Sequence, residues 1–201
     1  MIKLEKKFWI KGEVAAGLDE AGRGAWAGPV AAGIVILPPE TSIAKALKGV
    51  RDSKQMTPLA RERWAARIKE SALCWAVGFA SASEIDQIGI LPATRLAALR
   101  ALDQLTIKPD HLLHDYLHWK DCPLPHTSLV RGESLSLSIA SASVIAKTAR
   151  DDLMRGMDRI YSGYGFAQHK GYGTKLHQDA IAKRGLCKEH RHSFSILKRS
   201  P

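Results

Sequence analysis

Two adjacent carboxylates, Asp19 and Glu20, stand directly ahead of the glycine-rich run Gly22-Arg23-Gly24. Two more acids occupy comparable settings: Asp115 closes the apolar stretch that begins at Leu112, and Asp151 lies within a long run of helical character. Carboxylates gathered in a poorly solvated place repel one another and lose hydration, so such a set calls for a neutralising cation, and oxygen donors favour a hard one. Mg²⁺ or Mn²⁺, as one or two ions, is expected. Two ions can carry phosphodiester hydrolysis between them, one activating a water and the other stabilising the leaving oxygen, with no side-chain nucleophile. That suits a sequence without a phosphate-binding P-loop, an H-E-x-x-H helix or a convincing Ser-His-Asp set. Taken singly, each acid also reads as a strand end or a surface pair, Asp151 with Arg150 or Lys147, and spacing leaves open whether Asp151 or Asp152 faces inward.

Glycines beside an acidic pair let the backbone approach a ligand with no Cβ in the way. Their N–H and C=O groups are suited to read a ribose 2′-OH, which both donates and accepts; a plain hairpin turn accounts for the same glycines equally well. Between Tyr161 and Thr174, aromatic, glycine and basic residues alternate, the mixture found where rings stack on sugars or bases and cations meet phosphates. His177, Cys187, His190 and His192 lack a standard zinc spacing and read as surface, phosphate-adjacent residues.

Strands must hold the first three acids and a helix the fourth. Val14–Asp19 and Val30–Leu37 read as strands joined by the glycine turn, Leu59–Ala72 as a surface helix entered through Thr57-Pro58, and Leu73–Ala80 as a third strand. Pro92 opens an amphipathic helix to Leu105, Leu112–Tyr116 is a buried strand, Ser128–Arg131 a short one, and a long helix runs from Ser138 to Ile160, followed by a short one near Lys175–Lys183. Neighbouring strands first, then strands alternating with helices, predict a mixed α/β sheet covered by helices.

The chain has 201 residues, 45% hydrophobic and 25% charged, which suits one domain, residues 1–201. Its net charge of +10 points to a polyanionic partner. The basic excess concentrates in the last fifth, where Lys170, Lys175, Lys183, Arg184, Lys188, Arg191, Lys198 and Arg199 face only Asp179 and Glu189; residues 161–201 are therefore expected to form a basic substrate-binding region. Three unpaired cysteines fit a reducing compartment, and the charged N-terminus offers neither a signal sequence nor a membrane segment, so a soluble cytoplasmic protein without membrane partners is expected.

Taken together, Gly17-Leu-Asp-Glu-Ala-Gly-Arg-Gly24 with Gly28-Pro-Val30 resembles the opening signature of the ribonuclease HII family. The similarity continues in order through Asp52-Ser-Lys54, Ile90-Leu-Pro-Ala-Thr94, the Ser141–Asp151 segment, His169-Lys-Gly-Tyr-Gly-Thr174 with His177, and His190-Arg-His-Ser-Phe194. The resemblance implies a ribonuclease H-like fold: a mixed five-stranded sheet flanked by helices, with a helical C-terminal region. It implies Asp19, Glu20, Asp115 and Asp151 as the catalytic, metal-binding acids, Gly22, Arg23 and Gly24 as sensors of the 2′-OH, Lys54 at a phosphate, and Tyr172 stacked on the next sugar. The activity implied is hydrolysis 5′ to a ribonucleotide, in RNA–DNA hybrids and in DNA duplexes with embedded ribonucleotides, leaving 3′-hydroxyl and 5′-phosphate ends, by a monomer. Tyr172 and the early position of Asp19 favour type II over type III, whose members carry an additional N-terminal domain. Two segments depart from the family pattern: Asp115 is followed by Tyr116 where Asp-Gly is more common, and Arg131-Gly-Glu133 stands in place of Lys-Gly-Asp, a change that keeps the charges. Alternatives from other classes are a DNA nuclease or strand transferase of the same fold, which has no use for a ribose sensor, and a non-catalytic nucleic-acid-binding module, which has no use for four acids.

Overall fold

The structure is a computed structural model and describes residues 1–115 and 117–196. Strands β1 (Ala15–Ala21), β2 (Val30–Ile36) and β3 (Cys74–Ala80) form an antiparallel meander, while β4 (His111–Asp115) joins β1 in parallel and β5 (His126–Leu129) joins β4 in parallel. The order is β3-β2-β1-β4-β5, a mixed five-stranded sheet with β1 at its centre. Both faces of β2 are buried, which explains its unbroken apolar composition.

The longest helix, here α7 (Leu137–Ile160), lies across β1 and β2. It comes close because the strands present glycine and the helix presents small residues: a Cβ on Gly17 would sit 2.1 Å from the backbone of Ser138, and one on Gly33 would sit 2.5 Å from the carbonyl oxygen of Ala142. Helix α3 (Pro58–Ser71) packs outside α7, and the two share a core with Val35, Ile68, Ala140 and Val144. The opposite face of the sheet is covered by α5 (Ile90–Asp103), whose Ala97, Ala98 and Ala101 meet Leu18, Ile34 and Ala76. Thr57 caps α3 at the backbone of Ala60 with Pro58 at the first turn, as the sequence predicts.

Several helices were not anticipated, among them α1 (Lys3–Trp9), the one-turn α2 (Ile43–Ala46) and α4 (Ala82–Ile88), which opens with a reciprocal cap between Ser81 and Glu84. Beyond β5, Arg131 adopts a left-handed conformation (φ 58°) and turns the chain into the short α6 (Gly132–Leu135), so β5 ends before Arg131. The end of the predicted strand at Tyr116 lies outside the described residues.

The C-terminal region contains α8 (Phe166–His169) and α9 (Lys175–Arg184) around a small core of Ala27, Met154, Tyr164, Phe166 and Ala180. It returns to the glycine turn: the amide of Gly28 donates to the carbonyl of Glu189 (2.8 Å) and that of Arg191 to the carbonyl of Trp26 (2.8 Å). No helix among the described residues is long and apolar enough to cross a membrane.

Candidate active site

At the end of β1 the pleat sends Asp19 toward α7 and Glu20 to the other side. Asp19 accepts the Glu20 amide (2.8 Å) and lies beside Ser143 of α7, which favours its charged form, while the Ser143 hydroxyl donates to Ser53 (2.9 Å). Although the residue keeps some solvent contact, its carboxyl group is sunk in the protein. Burial, then the charge of Glu20, then that of Asp115 push it up to about 8 from 3.8. Glu20 is held by Arg23 at 3.0 Å. Asp115, at the end of the parallel neighbour β4, accepts the Gly132 amide (2.9 Å), which brings the next residue, Glu133, alongside it. The carboxyl group of Glu133 is raised by burial and then by Asp115, and one of its oxygens is buried without a partner.

Lys54 stands on a 3₁₀ turn (Ser53–Gln55) capped by Asp52. Burial opposes its charge, but Asp19, Asp52, Glu133 and Glu20 together outweigh that and hold the ammonium above its ordinary value. The turn is fixed from behind by Arg61, which donates to the carbonyls of Ser53 (3.0 Å) and Met56 (2.8 Å). A cleft of about 290 Å³ is lined by Glu20, Gly22, Arg23, Gly24, Lys54, Lys147 and Tyr172. The five residues expected to touch substrate thus line one cleft. The ring of Tyr172 lies beneath two cations, Lys147 at 5.2 Å and Arg150 at 5.5 Å.

Asp151 is elsewhere. Its two oxygens are taken by Arg61 (3.2 Å) and Lys147 (2.8 Å), so both negative lone-pair faces are already neutralised. It is eight residues beyond Ser143, about 12 Å along the helix axis from the side chain that touches Asp19. The structure therefore brings together Asp19, Glu20 and Asp115 with Glu133, and leaves Asp151 as the link between Arg61 and Lys147. The signal for Glu133 lay in the sequence as the Arg131-Gly-Glu133 block, but a short turn after an edge strand carries no periodicity to mark it. Among the described residues no three His, Cys, Asp or Glu side chains close on one point as metal ligands.

A donor set made of carboxylates alone, one of them held near 8 by burial and like charge, is the chemistry that a hard divalent cation relieves. The ribonuclease HII family model matches residues 16–197 of this chain. The chain belongs to the ribonuclease HII family. It is 48% identical over 198 residues to ribonuclease HII of Thermus thermophilus (98% of this chain, 94% of that protein) and 52% identical over 184 residues to that of Roseiflexus castenholzii (90% and 82%). Among solved structures, ribonuclease H2 from Pyrococcus horikoshii superposes with a TM-score of 0.74 at 23% identity (91% of this chain, 94% of that one), and Bst-RNase HIII in complex with Mn²⁺ with a TM-score of 0.72 at 20% identity (92% and 68%). As a ribonuclease HII family member the protein is an endonuclease of the ribonuclease H type, a hydrolase that acts on RNA–DNA hybrids with divalent metal.

Two expectations for this ribonuclease HII tail need correction. His177 and His190 are fully buried, not at the surface, and their Nε2 atoms lie 3.1 Å apart. His190 Nδ1 accepts the Cys187 amide (2.9 Å), so its Nε2 carries the proton and donates to His177 Nε2; His177 Nδ1 then donates to the carbonyl of Tyr172 (3.1 Å). Burial lowers His177 to about 4. These rings are satisfied, neutral core groups that hold the Tyr172 loop. Arg191 is also fully buried and contributes no surface charge to the tail, while Lys198 and Arg199 lie outside the described residues.

Proposed function

We propose that the protein cuts the phosphodiester bond on the 5′ side of a ribonucleotide, in RNA–DNA hybrids and at ribonucleotides embedded in duplex DNA, leaving 3′-hydroxyl and 5′-phosphate ends. The observation that carries this reading is that Glu20 joins an acidic cluster to a cleft lined by a glycine turn whose Arg23 and Gly24 amides have no acceptor among the described residues. Asp19, Glu20, Asp115 and Glu133 would hold one or two Mg²⁺ or Mn²⁺ ions, which when bound supply an activated water and stabilise the leaving oxygen. Asp151 serves this reading better as the neutraliser of Arg61 and Lys147 than as a fourth ligand.

Lys54 would meet a non-bridging phosphate oxygen, its ammonium kept charged by the acids around it. The Gly22-Arg23-Gly24 amides would donate to the 2′-oxygen, which only a ribose presents. Tyr172, backed by Lys147 and Arg150, would stack on the adjoining sugar and fix the strand's register. The unpaired cysteines are compatible with a monomer working in a reducing compartment. The deciding experiment offers Mg²⁺ or Mn²⁺ with a DNA duplex carrying one ribonucleotide, beside an all-DNA control. A single cut 5′ to the ribonucleotide is expected, and equal cutting of both duplexes, or of neither, overturns the reading.

A further inference from the structure

We propose that Arg191 is a positioning residue for ribose discrimination, with Asp86 as its remote anchor. This rests on the reading of Gly22-Arg23-Gly24 as the part that inspects the sugar. The Arg191 guanidinium spends its donors on the turn's own backbone: Nη2 donates to Gly22 (2.7 Å) and Gly28 (2.9 Å), Nη1 to Arg23 (2.8 Å) and Nε to Gly28 (3.0 Å). It is fully buried and, among the described residues, pairs with no carboxylate. A buried cation bonded solely to carbonyls is costly unless those carbonyls have to stay where they are.

The consequence lies on the other side of the peptide planes. With the Gly22 and Arg23 carbonyls drawn inward onto Arg191, the peptide N–H groups that follow them, those of Arg23 and Gly24, are turned away from it and have no acceptor among the described residues. The turn is thereby set as a donor surface toward the cleft. Glycine alone would not hold it, since the same lack of a Cβ that admits the sugar also frees the backbone. Lysine cannot take over, because its compact ammonium lacks the planar fork that spans three carbonyls.

Arg191 is itself held in place at a distance. Asp86 of α4 accepts the amides of His192 (2.9 Å) and Ser193 (2.9 Å) and the Ser193 hydroxyl (2.6 Å), and Phe194 lies 5.1 Å from the guanidinium. A helix that contributes no residue to the acidic cluster or to the cleft lining thus fixes the segment that fixes the turn. Asp86 and Arg191 form one clamp running from the outer layer to the sugar reader.

The test is the binding preference, the Kd of an all-DNA duplex over that of the same duplex with one ribonucleotide, measured by fluorescence anisotropy in EDTA so that nothing is cut. A ratio within each protein is insensitive to the fraction that is folded, so a merely structural lesion leaves it unchanged. Arg191→Lys is expected to lower the preference at least tenfold, toward unity, and Asp86→Ala about threefold. Asp86→Ala removes only hydrogen bonds at the exposed surface, so it decides the matter if Arg191→Lys does not fold. Retention of the wild-type ratio in Arg191→Lys, or in Asp86→Ala where that variant alone folds, overturns the clamp. A wild type with no preference overturns the reading of the turn itself, and the clamp with it.

Discussion

Replacing Asp19 by asparagine should make the metal-free protein more stable while removing its response to divalent ions. An acid raised from 3.8 to about 8 keeps in the native state a proton that the unfolded chain has released, so stability falls as pH rises between those values and levels off above them. At pH 7 the interval amounts to a little over three pH units, a ceiling of about 4 kcal/mol at roughly 1.4 kcal/mol per unit. Partial solvent contact reduces that, and about 2 kcal/mol is a fair working figure. For 201 residues the unfolding entropy is about 0.4 kcal/mol/K, so the Asp19→Asn protein should melt roughly 5 °C above wild type in EDTA at pH 8. The gap should shrink toward zero near pH 4. Excess Mn²⁺ should stabilise wild type by mass action and leave the variant almost unmoved. Melting curves in EDTA and in Mn²⁺ across this pH range test it, and a variant less stable than wild type in EDTA at pH 8 would refute the electrostatic account of the site.

Glu133→Gln should reduce cleavage by at least a hundredfold and weaken Mn²⁺ binding, whereas Asp151→Asn should leave Mn²⁺ affinity within about threefold of wild type, both read by calorimetric titration. If the fourth ligand were Asp151, the two results would be exchanged. His177→Gln should flatten the acid limb of stability. Burial, and then the charge of His169, lower His177 to about 4, so the unfolded chain takes up the proton first and native stability drops as pH falls from about 6.5 to 4. Thermal melts over that range would show a smaller decline in the variant. Duplex binding should weaken with salt at a log–log slope of about −0.9 per neutralised phosphate, and Lys54→Ala should make the slope shallower by about one phosphate; an unchanged slope would remove Lys54 from the phosphate contacts.

The sheet and its main helices were legible because periodicity reports burial directly. Alternation and apolar runs gave β1 to β4, and the Thr57-Pro58 entry gave α3 within a residue. What escaped was short. Helix α4 has seven residues, too few for a periodic signal, although the Ser81 and Glu84 spacing of its reciprocal cap was present to be read. The site was half legible for the same reason. Asp19, Glu20 and Asp115 sit at the ends of strands that pattern alone identifies, and parallel pairing of β1 with β4 then carries two strand ends to one edge. Glu133 depends on a left-handed turn at Arg131, a backbone choice that the residue type gives no reason to expect.

Charge was the least transferable signal, because a sequence reports its sign and not its depth. Arg191 and Arg150 count as surface cations in any composition, yet both are fully buried and, among the described residues, both hydrogen-bond only to carbonyls, Arg150 to those of Pro29 (2.8 Å), Lys170 (2.9 Å) and Ala27 (3.1 Å). Between them they hold the carbonyls of Gly22, Arg23, Ala27, Gly28 and Pro29, five of the eight residues that link β1 to β2. A glycine-rich link of that length would otherwise sample many conformations, and each unsatisfied buried carbonyl would cost about 1–3 kcal/mol. Two buried guanidiniums also place positive charge behind a turn whose front faces an acidic cluster. The same pair of side chains therefore supplies rigidity to the turn, and an apolar residue that merely filled the volume of either would leave those carbonyls without their donors.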